Sequence, residues 1–402
     1  MKKFLKSTFE KLIEGTLFLS STITTLAIVL IIIFLFKEGI GTFNQTPIEE
    51  GFSLVVNKNN SVNELSAQQI KNIFDQNITN WQIVGGKNDS ITLFNLDNIS
   101  EFYSDSAIGE NFEFLPQCIS DYTENNPGVI AFVSTRYTGK GFTGKILTTP
   151  KVSISQFISQ KEWFPTSQPA AQLGVLPLIL GTLWVSLGAI LIALPLGLST
   201  SIYMAEIASP KVRNILKPLI ELLAGIPSVV YGFFGLVIIV PGIQKLFDLP
   251  VGETALAGSI VLAIMALPTI ITISEDALRT TPKAMKEASL ALGANKWQTI
   301  SRVIIPYSSS GITAAAILGI GRAIGETMAV LMVTGNAAVI PHSFLEPVRT
   351  IPATIAAELG EAPQGGLHYK ALFALGCILF IITMVINLFV GYISSKKKYN
   401  AR

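Results

Sequence analysis

The chain has 402 residues, of which half are hydrophobic and 14% are charged, and its formal net charge is +2. A soluble domain carries about 25% charged residues, so this composition is that of a membrane protein. The near-neutral balance points away from nucleic acid, Cys118 and Cys377 are too few for a disulfide framework, and the only histidines, His342 and His368, form no Cys/His cluster that would hold a metal or call for a cofactor.

In chain order, the first apolar run is Leu17–Phe36, about the ~20 residues a bilayer needs, preceded by Lys2, Lys3, Lys6 and Lys11. It is longer than a signal-peptide core, and Phe36-Lys37-Glu38 is a poor cleavage site, so an uncleaved anchor is expected. Residues 38–168 are polar and Asn-rich and read as a small α/β domain. Strands are expected at Phe52–Val56, Ile91–Phe94 and Val129–Val133. A helix opens at the capping box of Ser66 and Gln69 and turns Ile70, Ile73 and Phe74 to one face. Gly139–Lys145 fits the glycine-rich half of a nucleotide loop, but Ile146 stands where a hydroxyl must hold Mg²⁺. A basic glycine-rich turn is expected there. No nucleotide-binding motif appears elsewhere, so any ATP hydrolysis falls to a separate subunit.

Five further spans are expected near Leu178–Met204, Leu222–Leu246, Ala255–Ile273, Ser308–Val333 and Ala371–Ile393. Gly225 and Pro227 break or kink the third span near its start, before the hydroxyls of Ser228 and Tyr231, and Pro268 does similar work in the fourth. Such kinks line a pathway or serve packing; the residues do not choose between the two. The fifth span holds Arg322 and Glu326 well inside an apolar segment. Four apart on a helix, they share a face. A central Arg costs about 2.5–3.5 kcal/mol on insertion scales, so it needs a protein-lined or watered place. Its planar five-donor fork suits an oxyanion, and Glu326 would neutralise it when the pathway is empty. The alternative is a structural salt bridge between helices. Gly321 and Gly325 form a G-x-x-x-G pair that lets another helix approach.

Basic residues set the orientation. Lys211, Arg213 and Lys217 follow the second span; Arg279, Lys283, Lys286, Lys296 and Arg302 lie between the fourth and fifth; Lys396, Lys397, Lys398 and Arg402 end the chain. All fall on the side of the N-terminal lysines, which predicts cytoplasmic termini and an exoplasmic 38–168 domain.

Between the fourth and fifth spans runs EASLALGANKWQTISRVIIP, with Glu287, Ala288 and Ser289 before Gly293 and then Val303 and Ile305 before Pro306. This order resembles the cytoplasmic coupling loop of bacterial ABC importer permeases, whose pattern is Glu-Ala-Ala, a Gly four residues later and Ile-x-Leu-Pro beyond it. Two short helices flanking Gly293 would dock in an ATPase. Ala288, Leu290, Ala291 and Leu292 would supply its apolar surface, Glu287, Lys296 and Arg302 its charge pairs, and Pro306 the start of the next helix. An ordinary amphipathic loop is the bland alternative.

AGIPSVVYGFFG, ALPTIITISEDALR, GRAIGETMAVLMVTGN and TIAAELGEA, together with the coupling loop, resemble the permease of phosphate ABC importers of the PstC type over about Gly174 to Tyr392. The resemblance implies an all-α polytopic membrane protein with six transmembrane helices and the small α/β domain inserted on the exoplasmic side. The domains would be residues 1–37 (cytoplasmic start and first helix), 38–168 (insert), 169–395 (permease core, with its coupling loop at 276–306) and 396–402 (basic tail). It also implies a second related permease subunit, a pair of ATPase subunits, a phosphate-binding protein, inorganic phosphate as substrate and surrounding membrane lipid. In the family a charged pair in the GRAIGET segment is implicated in phosphate passage, and the matching positions are Arg322 and Glu326. Transport would run by alternating access, without covalent chemistry in this chain. Gly51–Thr135 resembles part of a phosphate-binding protein, but the loop Phe94–Asp105 lacks the Ser-Gly-Thr and the Arg that hold phosphate there. A docking, pairing or simply inserted module is therefore expected. The rivals are a permease for molybdate or sulfate and a membrane phosphate sensor.

Overall fold

The computed structural model describes residues 2–94, 99–109, 112–139 and 141–399. Positions 95–98 of the Phe94–Asp105 loop, Lys140 of the glycine-rich turn and the last three residues of the basic tail lie outside the described residues.

The chain opens with α1 (Lys2–Ile40). There follow β1 (Phe52–Val56), α2 (Ala67–Phe74), β2 (Thr92–Phe94), α3 (Leu115–Asn125), β3 (Val129–Ser134) and β4 (Lys145–Leu147). Then come α4 (Leu176–Ile202), α5 (Pro210–Ala224), α6 (Ser228–Phe234), α7 (Val240–Phe247), α8 (Ala255–Arg279), α9 (Lys283–Ala291) and α10 (Lys296–Thr299). The chain continues through α11 (Ser309–Gly325), α12 (Met328–Val333), α13 (Ile351–Glu358) and α14 (Leu367–Tyr399). They divide into two compact units: Met1–Ile154 with Phe164–Gln172 and Pro363–Cys377, and Ser155–Trp163 with Leu173–Ala362 and Ile378–Arg402.

In the first unit the sheet order is β2-β3-β1-β4, with β2 parallel to β3 and the other neighbours antiparallel. Successive side chains of a strand point to opposite faces, and β1 uses both. Leu54 and Val56 pack with Ile70 and Ile73 of α2; Val55 packs with Leu115, Cys118 and Ile119 of α3. The Ser66–Gln69 capping box is formed. Also in this unit, α1 meets the first turns of α14 closely. A Cβ added to Gly39 would lie 2.8 Å from Cys377 Sγ, and Phe34 meets Phe373 edge-on.

In the second unit α8 is the central helix, packed chiefly on α4 and α11. Small residues let it approach both: Gly197 on α4 and Gly319 on α11 each lie against Ile270. The core joins Val185 and Ala189 of α4, Val261 and Met265 of α8, Ala323 of α11 and Val330 and Val333 of α12.

Among the described residues, five helical stretches are long and apolar enough to cross a membrane: Ile13–Asn44, Leu176–Ile207, Ser228–Phe247, Ala255–Arg279 and Leu367–Tyr392. A sixth is made if Lys296–Tyr307 and Ser309–Gly325, bent by 70° at their junction, are one broken span. Two expected spans are corrected. The third starts at Ser228, because Leu222 belongs to the amphipathic α5 and the helix stops at Ala224 before Pro227. The fifth, expected as one helix over Ser308–Val333, breaks between Gly325 and Met328.

Candidate coupling loop and intramembrane charges

The loop after α8 folds as two short helices, α9 and α10, around Gly293. α9 ends in a Schellman motif: the Gly293 N–H donates to Leu290 O at 3.0 Å and the Ala294 N–H to Ser289 O at 3.2 Å. That geometry needs a left-handed residue, and Gly293 has φ +85. Two residues on, Asn295 and Gln298 form a capping box that starts α10. Local sequence thus writes the whole turn: Gly to end one helix, Asn and Gln to open the next.

One bond within the turn and one to the helical turn after α4 brace it and leave its apolar tip bare. Ser289 Oγ lies 3.0 Å from Thr299 Oγ1, and Lys286 Nζ reaches Glu206 Oε1 at 2.6 Å. Leu292 is 89% exposed, Trp297 63% and Leu290 51%. Ala288 and Glu287 are exposed and Ser289 half-buried. Leu290, Leu292 and Trp297 thus present apolar area away from this chain's own core. Glu287, Lys296 and Arg302, expected to offer charge pairs to a partner, are all exposed, and none of the three makes an ion pair within this chain among the described residues. Pro306 does not begin the next helix. It is the second residue of a short helix, Ile305–Tyr307, that continues a π-turn over Ile300–Ile304, and α11 starts past the bend at Ser309. Proline cannot donate an N–H, and the widened turn before it absorbs that loss.

The stems of the loop are sealed against α8. Thr281 Oγ1 and Ser308 Oγ are 3.1 Å apart, and Ser308 Oγ donates to Ala277 O at 2.9 Å. A Cβ on Gly311 would come within 2.3 Å of Ala277 Cβ, so the two helices touch there.

Arg322 sits in the last turn of α11 and is half-buried. Glu326 does not share its helix face. It is the C-cap of α11, with an extended backbone at φ −72 and ψ 135, and its Oε1 accepts from the Ala329 N–H of α12 at 3.5 Å, the outer limit of a hydrogen bond. The helix break explains the difference: the four-residue spacing gives a shared face only where the helix is unbroken. Among the described residues Arg322 makes no ion pair; the Tyr231 hydroxyl donates to Leu223 O at 2.7 Å across the Gly225–Pro227 break. Gly225 ends α5 and Pro227 precedes α6, while Pro268 is carried within the continuous α8. The G-x-x-x-G pair brings no helix of this chain close, since no described atom lies within 4 Å of a Cβ built on Gly321 or Gly325. Gly325 and Thr327 instead line a cavity of about 510 Å³ with Pro352, Ile355 and Leu359.

Two buried charge clusters were not among the expected sites. Glu275, 0% exposed, accepts from Arg213 and Lys217 of α5. Arg349 Nη2 lies 2.7 Å from Glu358 Oε1, and Trp163 Nε1 donates to the same carboxylate. The available signal was a carboxylate in the last turn of an apolar helix, with unmatched cations elsewhere.

The family model described as "binding-protein-dependent transport system inner membrane component" matches residues 193–399, just over half of the chain. The chain belongs to this family. It is therefore a multi-pass inner-membrane component of a transport system, and not an enzyme. A second model, "PBP superfamily domain", matches residues 38–178. Among curated relatives, the probable ABC transporter permease protein YqgH of Bacillus subtilis is 41% identical over 247 residues, covering 61% of this chain and 80% of that protein. The phosphate transport system permease protein PstC of Mesorhizobium japonicum is 39% identical over 255 residues (59% and 77% covered). That of Pasteurella multocida is 36% identical over 249 residues (57% and 76% covered).

Proposed function

We propose that this chain is one permease subunit of an ATP-driven phosphate importer and translocates phosphate by alternating access. The observation that carries the mechanism is the internally braced loop with a bare apolar tip. Its own bonds fix the shape of α9 and α10, while Leu290, Leu292 and Trp297 stay exposed. A rigid knob of this kind suits a groove on a separate ATPase, which pushes on it as nucleotide binds. Phosphate as the substrate draws support from the relatives named phosphate transport system permease protein PstC.

In this reading the basic residues lie in the cytoplasm with both termini, and the 38–168 domain is exoplasmic. Arg322 is the donor that meets phosphate during passage. The break at Glu326 lets its carboxylate swing between capping α12 and pairing with Arg322. Gly321 and Gly325, open in this chain, face the second permease subunit across the pathway. A separate binding protein delivers phosphate. The insert, which a PBP superfamily model matches, serves to dock a partner.

The test is uptake of labelled phosphate by vesicles holding the assembled complex, its binding protein and ATP, with sulfate and molybdate as competitors. Uptake that neither competitor reduces supports the reading. Transport of sulfate or molybdate in preference to phosphate reassigns the substrate, and no ATP-dependent transport of any oxyanion overturns it.

A further inference from the structure

The α5 helix is held unusually. It carries no buried residue, and it packs chiefly on α8. Its apolar side chains Ile215, Leu219 and Leu222 are 64%, 52% and 69% exposed, so apolar burial does not fix it to this chain. Charges do. Arg213 Nε lies 2.9 Å from Glu275 Oε1 and Lys217 Nζ lies 3.1 Å from Glu275 Oε2. Arg279, one turn along α8, reaches Oε1 at 3.5 Å, and Lys217 also pairs with Asp276 at 3.2 Å. Both oxygens of a carboxylate with no exposure are thus used, and a buried carboxylate stripped of such partners is strongly disfavoured. The link is directional and fixed in length, as an apolar contact would not be.

Position gives the cluster its meaning. Glu275 lies in the last turns of α8, whose end at Arg279 is followed by the coupling helix α9 at Lys283. The same end of α8 is bonded to the returning stem through Ser308 and Ala277. On its other side the cluster grips α5, which runs into the Gly225–Pro227 break and α6. We propose that Glu275 is a positioning residue that makes α5 move as one body with the coupling loop, so that a push on the loop is delivered to the α5–α6 break. This rests on the transport reading above.

The experiment uses the full complex in vesicles and reads two quantities. The first is phosphate taken up per ATP hydrolysed. Glu275→Gln, and separately Lys217→Gln, is expected to keep hydrolysing ATP while this ratio falls about tenfold, the change that ~1.4 kcal/mol of lost coupling gives. The second is the distance between spin labels placed at Ile215 and Lys283 after Cys118 and Cys377 are replaced. It should stay constant between nucleotide-free and ATP-bound states in the parent and change between them in Glu275→Gln. A parent distance that changes with nucleotide overturns the proposal, even if the Gln variants fail to assemble. Unchanged ratios in both Gln variants also overturn it. A parent complex that hydrolyses ATP without moving phosphate would instead strike the transport reading beneath it.

Discussion

Replacing Gly293 isolates the backbone cost of the coupling turn. Its φ of +85 lies in the left-handed region, and no atom lies within 4 Å of the Cβ a substitution would add. Steric clash therefore contributes nothing, and the cost is conformational alone. An L-residue pays roughly 1–2 kcal/mol there, of which a few tenths are returned because the unfolded chain is stiffened. Gly293→Ala should cost about 1 kcal/mol, a factor of about five in the population of the turn. Gly293→Val, β-branched, should cost about 2 kcal/mol, a factor of about thirty. Asn tolerates the left-handed region best among the other residues and should lose least. The assay is titration of the ATPase subunit onto the purified permease. Amide exchange over Lys283–Thr299 would report the Schellman bonds directly. The expected order of weakening is Asn, then Ala, then Val, in step with faster exchange. A Val variant that binds the ATPase as tightly as the parent, with unchanged exchange, would refute the reasoning.

Other substitutions separate docking, passage and packing. Leu292→Ser removes a side chain that is 89% exposed, so thermal stability of the isolated permease should move by no more than about 0.5 kcal/mol while ATPase affinity falls at least about tenfold; loss of stability instead would place Leu292 in the core. Arg322→Ala should leave assembly intact and lower phosphate uptake about 10–150-fold, the value of one charge-assisted hydrogen bond of ~1.5–3 kcal/mol; normal uptake would remove Arg322 from the pathway. Burial, helped by Asp121, pushes the Cys118 thiol above its ordinary range. Maleimide labelling of Cys118 in the folded protein should therefore be slow at neutral pH, and any stability the neutral thiol contributes is present below the ordinary thiol value and lost as pH rises through the raised one. Rapid labelling at pH 7 would contradict its burial.

Much of this fold was legible because each local signal acts alone. The Ser66–Gln69 box, the β1 strand at Phe52–Val56 and the helix–turn–helix around Gly293 follow from capping, alternation and left-handed geometry within a few residues. The misses lie where distant parts decide. From Ser308 to Val333 the only charges are Arg322 and Glu326, and their four-residue spacing suits a continuous helix, so composition could not show the break at Glu326. Nor could spacing show that Arg213 and Lys217 meet Glu275 some sixty positions away; three charges on two separate helices read as solvated until the fold brings them together. Pro306 misled for a similar reason: a proline opens a helix only when the preceding turn does not extend into it.

The bare tip of the coupling loop carries the account, and site-specific crosslinking tests it most directly. A photoreactive residue at Leu292 in the assembled complex should capture the ATPase subunit in good yield, with the yield changing when ATP is added. Capture of lipid or of an exoplasmic protein from that position, with the ATPase never caught in either nucleotide state, would contradict it.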